Sequence, residues 1–338
     1  MTRETLTVAA IEHLAQSALA AHGASPAAAA SLARAIAAAE RDGLASHGLA
    51  YLPTYCEHLD IGKVVGAAEP VLEQTAPAAL LVDAGAGFAH PAIDLGLAAL
   101  LPLAHAQGVA TLAIRNSYNC GVLGYHTERV AAAGLVGLGF TNAPAAIAPW
   151  GALKPVLGTN PWSLAVPGAD GPAFVIDQSA SVVAKSEVIK RARAGEPLSP
   201  GWALDEHGQP TTDGQAALRG TMMPSGGAKG VGTALLVEVM AACLTGATPG
   251  VRASPFSGPA GGPPRTGQFF VAFAPDATSG GAFGDRLGEV LAAFAAQLGA
   301  RLPGSRRRAA RARAERDGVA VDAGLLARVR ALLGGATA

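Results

Sequence analysis

The sequence predicts an α/β fold in which a helical layer drawn from both ends of the chain surrounds a central sheet. Three observations predict it. From residue 78 onward, short apolar runs such as "AALLVDAG", "GVATLAIRNS", "GLVGLGFTNA", "NPWSLAVPG" and "AFVIDQS" are bounded by glycine, proline or asparagine, as buried strands are. Between them lie stretches of helical period, "PAIDLGLAALLPLAHAQG", "VLGYHTERVAAAG" and "KGVGTALLVEVMAACLTG". Both ends of the chain are helical in pattern. The organisation expected is a helical domain built from residues 1–75 and 281–338, and a sheet domain over residues 76–280.

In chain order, residues 6–21 carry apolar side chains at helical intervals up to Gly23. Ser25 followed by Pro26 is an N-cap with proline in the first turn. The alanine-rich "PAAAASLARAIAAAE" has high helix propensity and little bulk, so these two helices can pack closely. Strands and helices then alternate to a long helix over residues 229–246. Residues 253–267, around "SPFSGPAGGPPRTG", hold too much glycine and proline for a regular element. That flexible loop is either a simple connection or a cover that closes over substrate. "QFFVAFAP" follows as a strand, and residues 281–300 and 321–335 form closing helices.

With 338 residues, 50% of them hydrophobic, the chain can bury a large core as one elaborate domain or two smaller ones. Basic and acidic side chains balance at 25 each, which points away from nucleic acid or an anionic membrane and toward a small-molecule substrate. Cys56, Cys120 and Cys243 are widely spaced with no C-x-x-C pair, as suits a reducing compartment. The N-terminus has acids where a signal peptide is basic, and apolar runs are interrupted well before the roughly 18 residues of a membrane span. A cytoplasmic location is expected.

No G-x-G-x-x-G opens an early strand-to-helix turn, and the P-loop, G-x-S-x-G, H-E-x-x-H and Cys/His metal spacings are missing too. What remains is polar residues at strand ends, where sheet proteins build sites. "NSYNCGVLGYH" (116–126) turns tightly into a helix start, a plausible phosphate cradle. "GTNPWS" (158–163) and "IDQSAS" (176–181) place hydroxyls and a carboxylate at strand boundaries, and "SGGAKG" (225–230) puts Lys229 at a helix head. The basic run "RLPGSRRRAARARAER" (301–316) is either a solvated helix face or a turn whose N–H groups and guanidiniums hold phosphate.

Taken together, "DGLASHG", "RNSYNCGVLGY", "TNAPAAIAPWGALKPVLGTNP", "VIDQSAS", "MMPSGGAKG" with "VEVMAACLTGA", and "LPGSRRR" resemble, in order, the non-Rossmann malate/L-lactate dehydrogenase family. That family also holds sulfolactate and ureidoglycolate dehydrogenases and reductases of cyclic ketimine acids. The resemblance runs over roughly residues 5–320. It implies a central mixed, largely antiparallel sheet and an NAD(P)H-dependent transfer of hydride to or from C2 of a 2-oxo acid, 2-hydroxy acid or cyclic 2-imino acid.

Carried over residue by residue, the resemblance makes His47 the general acid in reduction and base in oxidation, with Ser46 assisting. An imidazole suits this, because its ordinary pKa near 6.5 lets it supply a proton near neutral pH. Cofactor contacts would come from Asn119, Cys120, Gly121, Val122 and Leu123, from Asp177, Gln178 and Ser179, from Lys229, and from Pro303, Gly304, Arg306 and Arg307. Thr159 would touch substrate. A homodimer with its active sites near the interface is also implied, and Arg306, Arg307 and Arg308 lean toward NADPH over NADH if they meet a 2′-phosphate.

Three positions depart from the family. Its carboxylate-gripping arginine four residues after the histidine is here Tyr51, which offers one hydrogen bond and no charge. Asn119 and Ala228 stand where histidine is frequent. The substrate is then a neutral or bulkier one such as a cyclic imine, or a carboxylate gripped by another cation, Lys185 or Arg265. A relative that binds nucleotide without catalysis is the competing reading. If residues 47–51 form one helical turn, Tyr51 borders the same space as His47.

Overall fold

The computed structural model describes residues 2–334. Strand β1 (Arg3–Leu6) leads into α1 (Val8–Ala21), whose first turn is capped by the Thr7 hydroxyl accepting from Ala10 N at 3.1 Å. Helix α2 (Pro26–Arg41) is capped by Ser25 with Pro26 in its first turn, as the sequence predicts. Small side chains let α1 and α2 approach closely: Ala15, Ala18, Ala28, Ala29 and Ala33 are all buried in one core with Leu19, Leu32 and Ile36. Helix α3 (Leu52–Asp60) closes this layer through Leu52, Tyr55 and Cys56.

The sheet follows. Strands β2 (Val71–Ala76) and β3 (Ala79–Asp83) form a hairpin, α4 (Ala89–Gln107) crosses to β4 (Val109–Ser117), and α5 (Leu123–Ala132) leads to β5 (Val136–Thr141). Strands β6 (Trp162–Gly168) and β7 (Gly171–Gln178) complete one side. A small unit comes next: α6 (Lys185–Ala194), β8 (Ala203–Leu204), β9 (Pro210–Thr211), α7 (Gly214–Arg219) and β10 (Thr221–Met222), whose Val188, Leu198, Ala203, Ala217 and Met222 share a core with Ile147, Leu157 and Ala234. Helix α8 (Ala228–Glu238) then reaches β11 (Thr266–Phe273) through the glycine-rich segment.

The seven strands lie in the order β2-β3-β4-β11-β5-β6-β7. Only β3 and β4 are parallel; all other neighbours are antiparallel. Strand β11 sits in the middle, which explains its unbroken apolar run: Phe270 and Ala272 are fully buried beside Leu112 and Ile114. Helices α9 (Pro275–Ser279), α10 (Phe283–Ala295) and α11 (Ser305–Asp317), strand β12 (Val319–Asp322) and helix α12 (Ala323–Ala331) end the fold.

Several expected boundaries move. Residues 321–335 do not open as helix: β12 pairs antiparallel with β1, so Leu6 lies opposite Val319 and the two chain ends meet. A four-residue strand whose partner is more than 300 positions away leaves no local signal; residue 335 lies outside the described residues. The helix expected over 229–246 is regular only to Glu238 and widens by a residue per turn over Val239–Cys243. Residues 47–51 are not one turn, because Pro53 in the first turn of α3 starts a new helix after the short turn Ala45–His47.

Candidate active site

A cavity of about 530 Å³ opens where the His47 turn, the 119–123 turn, the end of β7, the start of α6 and the glycine-rich segment converge. Ser46, His47 and Tyr51 line one side. Asn119, Gly121, Val122 and Leu123 line a second, and Thr159, Asp177, Gln178 and Ser179 a third. Lys185 and Arg307 complete the set of sequence-predicted residues that the fold brings together.

The His47 turn is held from behind. Glu40, buried at the end of α2, accepts the Leu49 N–H at 2.8 Å, and burial pushes its carboxyl pKa up despite that bond. Gly48 lies against this carboxylate so closely that any side chain there would collide with it. Asp42 ties the same turn to α11 through Arg311, which also reaches Glu128 on α5 at 2.8 Å. His47 itself sits in an environment that lowers its pKa below 6.5, chiefly by burial. Asp177 counteracts this and Arg307 adds to it.

Asp177 is a junction. Its Oδ2 accepts from the Gly124 N–H at 2.9 Å and from Arg307 Nη2 at 2.8 Å. A Cβ on Gly124 would stand 2.5 Å from Arg307 Nη1, so the pair requires glycine at the start of α5. Asn119 Oδ1 accepts the Gly121 N–H at 2.6 Å, and Gly121 takes the left-handed conformation (φ 66°) that closes the turn. Val122 gives α5 no side-chain cap, but within the first turn Asp177 takes the Gly124 N–H and the Val122 carbonyl the Tyr125 N–H, which leaves the Leu123 N–H for an anion.

Lys185 opens α6, whose N-terminus likewise lacks a side-chain cap. Burial lowers its pKa, and it has no hydrogen-bond or ion-pair partner among the described residues. Tyr51 is already engaged: its hydroxyl donates to the Phe256 carbonyl at 2.5 Å. Burial pushes the phenol up to about 12, while the Tyr118 and Asn119 side chains pull the other way.

Five predicted residues lie off this cavity. Cys120 is buried beneath its turn, where its carbonyl accepts from His126 Nε2 at 2.9 Å. Lys229 is exposed at the head of α8, and Arg306 is exposed on α11. Pro303 and Gly304 line a separate narrow cleft with Arg307 and Arg308, because the left-handed Gly304 (φ 82°) turns the chain back into α11 there. Arg265, the alternative cation, is exposed and elsewhere.

Sequence reasoning passed over Asn160 and Glu238. Buried Asn160 accepts from Ala143 N at 3.1 Å and donates to Glu238 Oε2 at 2.7 Å, and Glu238 Oε1 accepts from Gly250 N at 2.6 Å. This network joins two segments of the cavity wall, Ala143 and Gly250. The Asn of "GTNP" was the available signal. Pro255, Phe256 and Ser257 also reach the cavity, so the glycine-rich segment forms part of its wall.

An imidazole, a half-buried amine and a carboxylate–guanidinium pair around one cavity are groups suited to acid–base work on a small acid. The class is that of an oxidoreductase, a dehydrogenase or reductase. The chain belongs to the malate/L-lactate dehydrogenase family, whose profile matches residues 6–330. It is 46% identical over 279 residues to a (2R)-3-sulfolactate dehydrogenase (NADP(+)) of Chromohalobacter salexigens, covering 82% of this chain and 83% of that protein. It is 39% identical over 330 residues to a Δ1-pyrroline-2-carboxylate/Δ1-piperideine-2-carboxylate reductase of Pseudomonas aeruginosa, covering 97% and 99%. Among solved structures, Δ1-piperideine-2-carboxylate reductase from Pseudomonas syringae pvar. tomato superposes with a TM-score of 0.92 at 36% identity, over 97% of this chain and 99% of that one.

Proposed function

We propose that this chain is an NADPH-dependent reductase of a small cyclic 2-imino acid carrying a single carboxylate, with His47 as the general acid. The observation that carries the reading is Lys185, the cavity cation with no partner among the described residues, facing walls formed largely by Val122, Pro144, Pro161, Ile189 and Phe256. Arg307 is committed to Asp177, and Tyr51 offers no charge. One free cation suits one carboxylate; the apolar walls suit a ring.

In reduction, Lys185 and the first-turn N–H groups of α6 receive the carboxylate and orient the substrate. His47 faces the C2 heteroatom. Bound NADPH supplies the hydride that C2 receives. His47 donates its proton to the ring nitrogen as the C=N bond becomes C–N, so a cyclic imino acid becomes a cyclic amino acid. Ser46 borders His47 and assists by hydrogen bonding. In the reverse direction neutral His47 takes the proton back.

The cofactor fits the 119–123 turn and the start of α5, where the N–H groups that Asp177 does not occupy are offered to a phosphate and Arg307 offsets the Asp177 charge. NADPH is favoured over NADH because the Chromohalobacter relative is named for NADP(+) and because Arg308 joins Arg307 along the neighbouring cleft. We also read the chain as a homodimer. The half-exposed Leu235, Leu236, Val239 and Leu244 on and beyond α8 are the apolar surface that such an interface would cover. The buried free thiols Cys56 and Cys120 suit the cytoplasm.

A second reading, reduction of 3-sulfopyruvate to sulfolactate, has the 46% identical relative in its favour. Its substrate bears two anionic groups and so calls for a second free cation. Steady-state kinetics with NADPH on Δ1-pyrroline-2-carboxylate, Δ1-piperideine-2-carboxylate and 3-sulfopyruvate decide between them. A kcat/KM highest for 3-sulfopyruvate overturns the cyclic-imine reading, and NADPH binding without turnover of any of the three overturns catalysis on these acids.

A further inference from the structure

The glycine-rich segment makes a closed loop with two inner staples. At its neck Thr248 N donates to Arg265 O at 2.9 Å, and inside it the Ser254 hydroxyl donates to Gly262 O at 2.5 Å. None of the hydrophobic core clusters includes a residue of 249–264. The loop tip is therefore held to the body mainly by polar contacts, with one aromatic contact between Phe256 and Tyr118 at 5.7 Å.

Those polar contacts come from one place. Three alternate carbonyls of the tip, those of Phe256, Gly258 and Ala260, face α3 and the turn after it. Tyr51 OH donates to Phe256 O, His58 Nε2 to Gly258 O at 3.0 Å, and Lys63 Nζ to Gly258 O at 3.0 Å and Ala260 O at 2.6 Å. Because a carbonyl only accepts, Nε2 carries the His58 proton, and Nδ1 accepts from the Tyr118 hydroxyl. His58 is 0% and Lys63 1% exposed, an unusual burial for a lysine whose ammonium bonds only to peptide carbonyls. Pro255, Phe256 and Ser257 of the same segment line the cavity.

We infer that residues 255–260 are a strap over the substrate cavity, positioned from behind by His58 and Lys63, which are specificity-determining positioning residues that never touch substrate. The inference rests on the reading of this cavity as the substrate site. A strap of successive bends with few apolar contacts opens at low cost unless its carbonyls are held. Held as they are, they fix the Phe256 wall and with it the width of the cavity. Loosening the strap weakens substrate binding more than cofactor binding, because the 119–123 turn keeps its own closure, the Gly121 N–H on Asn119 Oδ1.

The test is Lys63→Met, with Lys63→Arg as the conservative variant, in the full-length enzyme. Lys63→Met should raise substrate KM about tenfold, the weight of one charge-assisted hydrogen bond, with kcat and NADPH KM nearly unchanged. Amide hydrogen exchange should quicken over residues 251–262 and not in β4 or β11. Lys63→Arg, which can still donate to both carbonyls, should restore the substrate KM. Unchanged KM, or equal loss in substrate and cofactor KM, overturns the inference, as does faster exchange throughout the sheet. If Lys63→Met does not fold, Ser254→Ala should give the same KM shift by releasing the staple, and its absence overturns the inference equally. Should the enzyme prefer another acid over the cyclic imines, the proposed substrate falls, while the exchange measurement and the KM for that acid still decide the strap.

Discussion

Arg307 at the start of α11 and Asp177 at the end of β7, 130 positions apart in the chain, meet at 2.8 Å in the wall that also carries His47. The pair places a cation and an anion beside one imidazole, where their opposed charges adjust the protonation of the proposed acid. Burial already lowers the His47 pKa, and Arg307 lowers it further against the pull of Asp177.

This fixes the pH dependence of turnover. Reduction needs protonated His47, so reductive kcat/KM at saturating cofactor should be flat at low pH and fall as pH rises through a pKa below 6.5. Oxidation needs the neutral form and should rise through the same pKa. Arg307→Ala removes the cation and leaves Asp177 unpaired, which raises the His47 pKa and should carry the reductive limb to higher pH. A limb that stays in place or moves to lower pH rules out this coupling.

His47→Ala should lower kcat by roughly 100-fold or more, since general acid catalysis contributes about 10² to 10⁴, and should leave NADPH affinity within a few-fold. Stopped-flow fluorescence for binding and single-turnover rates for chemistry separate the two. Near-normal turnover would remove His47 from the mechanism.

Lys185→Met keeps the length of the side chain and removes its charge. Losing a hydrogen bond to a charged group costs about 1.5–3 kcal/mol, so substrate KM should rise by roughly 10- to 150-fold with a much smaller effect on kcat. A drop in kcat with KM unchanged would place Lys185 in the chemical step instead of in binding.

Tyr51 gives its hydroxyl to the Phe256 carbonyl, where an arginine would present two donors to a carboxylate. Wild-type enzyme should therefore be poor on pyruvate and oxaloacetate, and Tyr51→Arg should improve both while harming the cyclic substrate. A wild-type kcat/KM for pyruvate or oxaloacetate above about 10⁴ M⁻¹s⁻¹ would show that Tyr51 does not mark a changed substrate class.

What the sequence by itself determined was whatever is carried by short-range pattern. Apolar runs closed by glycine and proline mark β3 through β7 and β11, and Ser25-Pro26 marks the start of α2, because strand burial and capping are local events. Asn119 and Asp177 stood out in polar stretches at strand ends, the family resemblance supplied Ser46 and His47, and Lys185 was one of two alternative cations; all five line the cavity. Tertiary structure alone decided which polar groups meet. The pairing of β1 with β12, the Arg307–Asp177 contact, the Asn160–Glu238 network and the hold of His58 and Lys63 on the strap each join residues far apart in sequence. The same packing put Lys229, Arg306, Pro303, Gly304 and the Cys120 side chain off the cavity. Such contacts depend on how whole elements pack, and no run of neighbouring residues encodes the direction in which a side chain finally points.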